Sequence, residues 1–570
     1  MSHIIRTCLA DLDDDTLIHI FSFLDIDDIL RMRRVSTRFD AISRQRVVWA
    51  RALTVHVRRE GIPFPPVAID ALPTPKLEQL VLRARTLARF WLEPSPLAHA
   101  RIHAEFAASS GTGISDVRLL PAHPRWVLAV ARGIWPVITC WDVGLDEGGE
   151  PAVPGARQPT KVAEWFRKGA LFTGIAVNSD PGAEACLAVS LSFSGEEYAE
   201  ILALRGNPEG VEFVTLATIK TSFRVMTLKG DILALSDDVN ETQLVNWRTN
   251  ALACLWGSEA PSEHNFQHNR CLNILLTSSC TFVVRARTFE VFRTPALVSP
   301  DEIKDPQHPS ASHHFGWLDG VAVTSKATLL DDTQSASYPY VSVLLRAESD
   351  DPWASHMHTI DLYDLEPDPC YTSVPAIPSP GLSTPTTTMR SDISSDATTL
   401  SSSLRGTPAS TPPPPAPHSP YHFPPTHTAS FPAARGHLRC TDMHLGAHGS
   451  ALWIVPRPAR DTGLTALDLH GSDAQGADAH PLTGAPSVRR ERLVGALLPG
   501  ALRDGRARRI EFHAEDEDED EEGEGESAEL RTLWASTAAG GTWTSLDYDE
   551  ARGVVVLGDS TGVVTVLRLG

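Results

Sequence analysis

Gly558-Asp559-Ser560-Thr561-Gly562 is the stretch of this chain that has the spacing of a catalytic nucleophile. A Gly-x-Ser-x-Gly elbow works by holding its serine on a strained turn between a strand and a helix. Here the residues that follow are Val563-Val564-Thr565-Val566-Leu567, which alternate like a strand, and no histidine comes after them. The motif therefore reads as a hairpin turn. Two histidine groups, His264 with His268 and His308 with His313 and His314, have the residue type of metal ligands. Both sit among Pro, Ser, Asn and Gln, with no cysteine at finger spacing, and read as solvated loop histidines. The eight cysteines form no Cys-x-x-Cys pair, which suggests neither a zinc site nor a disulfide framework, and reduced thiols fit better. No phosphate-cradling glycine loop is present. No catalytic residue, metal or cofactor is expected.

Charge narrows the partners. The 570 residues carry a formal charge of −21, and a general nucleic-acid binder needs a basic surface to displace counterions. Arg31, Arg33, Arg34 and Arg38 are better read as the solvated side of a small helical unit. No apolar stretch has the length of a membrane span and no leader pattern opens the chain, so neither nucleic acid nor membrane is an expected partner. Cytoplasm, nucleus or both is the expected location. Asn240-Glu241-Thr242 matches a glycan acceptor, but without secretion it is a turn.

Three kinds of element must carry whatever the chain does. The first is helical. Leu17, Ile20, Phe21 and Leu24 recur at helical spacing behind Asp13, Asp14 and Asp15, which suit a helix start. Asp25-Ile26-Asp27-Asp28 opens a second helix with Ile29, Leu30 and Met32, and Val35 and Phe39 continue the apolar series. A third run goes from about Ser36 to Val47-Val48-Trp49. Three short helices bury too little alone and need a partner. After Gly61-Ile62-Pro63-Phe64-Pro65-Pro66, a longer helix begins at Thr74-Pro75, with the Thr74 hydroxyl as its cap. Leu77, Leu80, Val81, Ala84, Leu87, Ala88 and Trp91 form its apolar face, with Arg83, Arg85 and Arg89 off it.

The second kind is β. Paired runs such as Arg125–Ala131 with Pro136–Val143, and Gly553–Asp559 with Gly562–Leu567, recur about every forty to fifty residues. The third kind is low in complexity. Residues 371–432 are rich in Pro, Ser and Thr and expected to be disordered, and residues 511–528 form an acidic loop, loosely neutralised by Arg503, Arg506, Arg508 and Arg509. Ser379, Thr384, Thr407, Thr411 and Ser419 each precede a proline and are candidate phosphosites, with incidental loop residues as the plainer reading.

Leu12 to Trp49 resembles an F-box, through Leu12, Ile20-Phe21-Ser22-Phe23-Leu24, the Asp25-Ile26-Asp27-Asp28 link, Leu30-x-x-x-x-Val35 and Trp49. Asp13 stands where that family usually has proline. The β runs resemble degenerate WD repeats, with Trp141-Asp142 as the literal pair and Val245-Asn246-Trp247-Arg248 and Leu362-Tyr363-Asp364-Leu365 in similar places. The implied architecture is α+β and multidomain: an F-box at 1–50, a helical spacer at 51–96, and a mainly antiparallel β-propeller at 97–570. Seven blades fit the length, six or eight are alternatives, and a β-sandwich with extra domains is the competing fold.

The resemblance implies a substrate-recognition subunit of an SCF-type ubiquitin ligase. The F-box would dock on a Skp-family adaptor and through it on cullin and RING protein, while the propeller holds a protein substrate. Leu12, Leu17, Ile20, Phe21, Leu24, Ile26, Leu30, Val35 and Trp49 are the candidate docking residues. Some must instead form the module's own core, and Phe21 and Leu30 fit either role. The alternatives are a non-ligase scaffold built from the same modules and, more remotely, a propeller enzyme.

Overall fold

The computed structural model describes residues 9, 12–93, 100–131, 133, 136–145, 158–207, 210–258, 269–302, 305–327, 338–347, 357–371, 419–434, 440–456, 491–506, 530–535 and 542–570. The first helices are α1 (Asp14–Phe21), α2 (Ile26–Arg33), α3 (Thr37–Ser43) and α4 (Arg46–Leu53), and α4 runs on into a π-helical turn, Thr54–Arg58. The run expected as one helix from Ser36 to Trp49 is thus two. Ser36 caps α3 through its hydroxyl, which accepts from the Phe39 amide, and Trp49 belongs to α4. Asp13 caps α1, its carboxylate accepting from the Thr16 amide at 2.9 Å. Bonding to Thr16, side chain first and then backbone, holds the Asp13 carboxyl below its ordinary pKa, so the cap is charged at neutral pH. The long helix α5 (Thr74–Leu92) starts with Pro73 at its cap position and no side-chain cap, so the Thr74 hydroxyl does not act as expected.

The described strands form seven four-stranded antiparallel sheets. These are the blades of a propeller, and in the first six the innermost strand comes first in the chain. The first six span Ile114–Phe166, Leu171–Lys220, Arg224–Trp256, Cys271–His314, Leu318–Ala434 and Met443–Ala535. The seventh takes Trp543–Asp549, Val554–Asp559 and Val563–Arg568 from the end of the chain and Arg101–Ala107 from before the first blade, closing the ring. Closure joins the two ends of the propeller segment in one blade, and each blade keeps its own edge strands.

The fifth blade corrects the expected insertion. Thr426–Ala434 is its outer strand, paired with Met357–Leu365, and Tyr421 is buried in the core between the fourth and fifth blades. The chain has rejoined the fold by residue 419, where disorder was expected to run to 432. Strand pairing and one buried aromatic outweigh the local Pro and Ser content. Residues 372–418 and the acidic run at 511–528 lie outside the described residues. Arg506, which precedes that run, donates to the Leu92 carbonyl at the end of α5 at 2.8 Å.

Side-chain alternation gives each strand two apolar faces, one toward each neighbouring blade. Val554 and Val556 face the core shared with the first blade, while Val555 and Leu557 face the core shared with the sixth. That second core does not stop at the propeller. It continues through Leu77, Val81, Ala84, Leu87, Ala88 and Trp91 of α5 into Leu17, Phe21, Ile26 and Trp49 of the first helices. Two glycines allow the approach. A Cβ on Gly495 would lie 2.9 Å from the Trp91 ring, and one on Gly553 2.7 Å from Leu87. Arg83 Nε donates to the Arg552 carbonyl at 3.1 Å, and Arg531 donates to the Phe90 and Glu93 carbonyls at 3.0 and 3.1 Å. Burial, with Arg568 nearby, lowers the Arg83 pKa to about 10. The other two arginines expected off the apolar face are used as well: Arg85 lies 3.5 Å from Asp25 and 3.6 Å from Glu60, and Arg89 pairs with Asp27. The helices and propeller therefore share one core.

Trp91→Ala should remove about 3–5 kcal/mol of stability. Because Trp91 lies in the shared core, denaturant unfolding should show the helical and propeller signals falling together at a lower midpoint. A loss confined to helix signal would contradict the shared core.

Candidate functional site

Burial sorts the nine candidate docking residues. Leu17, Phe21, Ile26 and Trp49 are 0% exposed and make up the module's own interior. Phe21 packs edge-on against Phe39 at 6.0 Å, and Trp49 Nε1 donates to the Ser43 carbonyl at 2.8 Å, with the Arg33 guanidinium 5.8 Å from its ring. These four cannot touch a partner directly; they position the residues that can. Leu12, Ile20, Leu24 and Leu30 are partly buried against the same core, which places Leu30 at its margin. Val35, just past α2, is 65% exposed.

The helical pattern also hid residues. Phe23 is 67% exposed in the turn after α1, its ring edge-on to His19 at 4.9 Å, and Leu9 and Val47 are exposed too. Of eleven large apolar side chains exposed among the described residues, four fall within residues 9–47, far above that segment's share of the chain. A helical wheel carries the missing signal, since Phe23 projects away from the face shared by Leu17, Phe21 and Leu24. A concentration of exposed apolar side chains marks an interaction surface.

Charged pairs fix this surface relative to the rest of the molecule. Arg38 bonds Asp14 at 2.6 Å and the Leu12 carbonyl at 2.6 Å, tying the start of α1 to α3. Arg33 bonds Glu78 of α5 at 2.6 Å. His56 of the π-helical turn donates from Nε2 to the Leu24 carbonyl at 3.0 Å, holding the link between α1 and α2. Arg31, the third of the expected arginine cluster with a described partner, pairs with Asp28 at 2.7 Å.

The sequence family called F-box-like matches residues 9–54. Residues 9–54 are an F-box-like domain. No curated protein matches the chain. Among solved structures, a humanized mutant of the Chaetomium thermophilum Polycomb Repressive Complex 2 bound to the inhibitor GSK126 is similar with a TM-score of 0.41 and 11% identity, over 83% of this chain and 98% of that one. The Chaetomium thermophilum Polycomb Repressive Complex 2 bound to GSK126 is similar with a TM-score of 0.41 and 11% identity, over 82% and 98%. The chain pairs an F-box-like domain with a seven-bladed propeller, two folds typical of interaction modules.

The residues singled out for chemistry occupy structural places. Ser560 lies in the turn between two antiparallel strands of the seventh blade, where the Asp559 carboxylate accepts from the Thr561 and Val563 amides at 2.8 and 2.9 Å. No helix follows it. His313 packs against Phe315 at 4.6 Å, and burial lowers its pKa; His264 and His268 lie outside the described residues. Among the described residues no cluster of His, Cys, Asp and Glu has the makings of a metal site, and no helix is long and apolar enough to cross a membrane. Trp141 donates from Nε1 to Thr139 at 2.9 Å, and Asp142 pairs with Arg125 at 2.8 Å. The Trp-Asp pair thus ties a strand end together. Of the proposed phosphosites only Ser419 is described; its hydroxyl accepts from the Tyr421 amide at 3.2 Å.

Core and surface should separate in a mutational pair. Phe21→Ala is expected to destabilise by about 3–5 kcal/mol, whereas Phe23→Ser should stay within about 0.5 kcal/mol, both read by denaturant titration. Equal costs would contradict the division.

Proposed function

We propose that this protein is the substrate receptor of an SCF-type ubiquitin ligase. The F-box docks on a Skp-family adaptor, which brings cullin and RING protein, and the propeller holds the protein to be modified. The observation that carries this reading is the F-box-like domain whose interior runs without a break into a propeller core. A receptor of this kind works by raising the effective concentration of the target near the charged enzyme. A floppy connection would dilute that effect, and a shared core preserves it. Phe23 and Val35, with Leu12, Ile20, Leu24 and Leu30 at the margin of the core, are the side chains proposed to meet the adaptor. Asp13, in the place of the family's proline, supplies the capping that orients α1 beside them. Target recognition falls to the propeller, and proline-directed phosphorylation of the 379–419 segment is proposed as a control on it.

The test uses Phe23→Asp combined with Val35→Asp. Both side chains are largely exposed, so folding should survive, and capture of a purified Skp-family adaptor should fall at least a hundredfold. An acidic group forced against an apolar partner surface costs several kcal/mol, enough for that loss. Undiminished capture would overturn the docking assignment. Phe21 is unsuitable for such a test, because a charge at this wholly buried position would unfold the module.

A further inference from the structure

Among the described residues of the propeller, seven large apolar side chains are exposed: Ile102, Phe166, Leu171, Val239, Trp256, Tyr340 and Leu530. Trp256 and Val239 stand out because they are neighbours in a charged setting. Trp256 ends the outer strand of the third blade, and it pairs directly with Glu241, the first residue of the next strand inward. Directly paired residues share a face of the sheet with their Cβ atoms about 5 Å apart. Trp256, 47% exposed, and Glu241 therefore lie opposite each other on one face of the blade. The Gly257 amide donates to the Asn240 carbonyl at 3.0 Å, which lays Val239, 43% exposed, along the same edge.

Exposed carboxylates lie around the pair, while Arg285, which donates to the Asn240 carbonyl at 2.7 Å and the Thr242 hydroxyl at 2.9 Å, is wholly buried. Asp238 is exposed next to Val239, and Asp305 is exposed two residues before Gln307, whose carbonyl accepts from the Trp256 amide at 2.9 Å. Glu241 Oε1 accepts from the Gln243 amide group at 2.9 Å. No lysine or arginine forms an ion pair with Asp238, Glu241 or Asp305 among the described residues. A cation over an indole face beside a carboxylate gains from both the ring quadrupole and the ion pair.

We infer that this corner of the third blade, built from Trp256, Val239, Glu241, Asp238 and Asp305, docks a partner segment in which a lysine or arginine adjoins an apolar side chain. The cation sits over Trp256 against Glu241 and the apolar neighbour covers Val239. This deepens the receptor reading by giving the chemistry of the target segment. The helical module packs on the sixth and seventh blades, so the corner lies away from the adaptor side of the molecule.

The full chain should be titrated against two fluorescent twelve-residue synthetic peptides, one alternating arginine with leucine and one alternating glutamate with leucine. The arginine peptide should bind, at least tenfold more tightly than the glutamate peptide, and weaken as salt rises. Trp256→Ala should weaken it about tenfold, and Glu241→Gln with Asp238→Asn should remove most of the salt dependence. Equal binding of both peptides, no binding of either, or binding unchanged by Trp256→Ala would overturn the inference. Adaptor capture measured on the same variants should not change. Retained capture with peptide failure condemns only the corner, whereas undiminished capture in Phe23→Asp with Val35→Asp condemns the docking on which the receptor reading rests.

Discussion

The apolar core between the sixth and seventh blades is the constraint on which the rest of the molecule depends. A small helical domain of about fifty residues buries too little surface to be secure by itself. Here the deficit is met from below. Leu87 and Trp91 of α5 press into places left open by Gly553 and Gly495, and the opposite side of α5 receives α4. Leu17, Phe21, Ile26 and Trp49 are then wholly covered. The F-box needs the propeller for its interior, and the ring gains a cover over the seam where its last blade closes. Stability and geometry come from the same contacts.

That shared interior has a functional consequence. When the docking surface and the target platform belong to one core, the vector between them is set by side-chain packing and by pairs such as Arg33 with Glu78. Packed interiors deform little, so the offset between the two surfaces is a property of the fold. In an assembly that works by proximity, a fixed offset selects which part of a target can be reached. The seven inter-blade cores are alike in kind, but the one that reaches into the helices carries that geometry.

Much of this was legible in the residues. The apolar face of α5 follows from spacing alone, and all seven residues read there are buried. The hairpin at Asp559 was recognisable because a β run, with no helix, follows Ser560. What spacing could not do was sort the F-box residues into interior and surface. Leu17 and Leu24 have the same apolar character and helical spacing, yet one is wholly buried within α1 and the other, past its end, only partly. That distinction is made by α3, α4 and α5, which arrive from elsewhere in the chain. Phe23 stands in the motif but off the main apolar stripe, so spacing alone did not make it a docking candidate, and its 67% exposure does. The strand at Thr426–Ala434 was hidden by Pro and Ser, and its place comes from pairing with residues some seventy positions away. Non-local pairing of this kind leaves little trace in local composition.

As proposed, the F-box-like domain and the propeller act as a single receptor that enters a cullin–RING assembly. Native mass spectrometry of the full chain mixed with purified Skp-family adaptor, cullin and RING protein tests it most directly. The account predicts one species containing a single copy of each of the four. Absence of the adaptor from every species with this chain, or adaptor bound while cullin and RING protein stay apart, would contradict it.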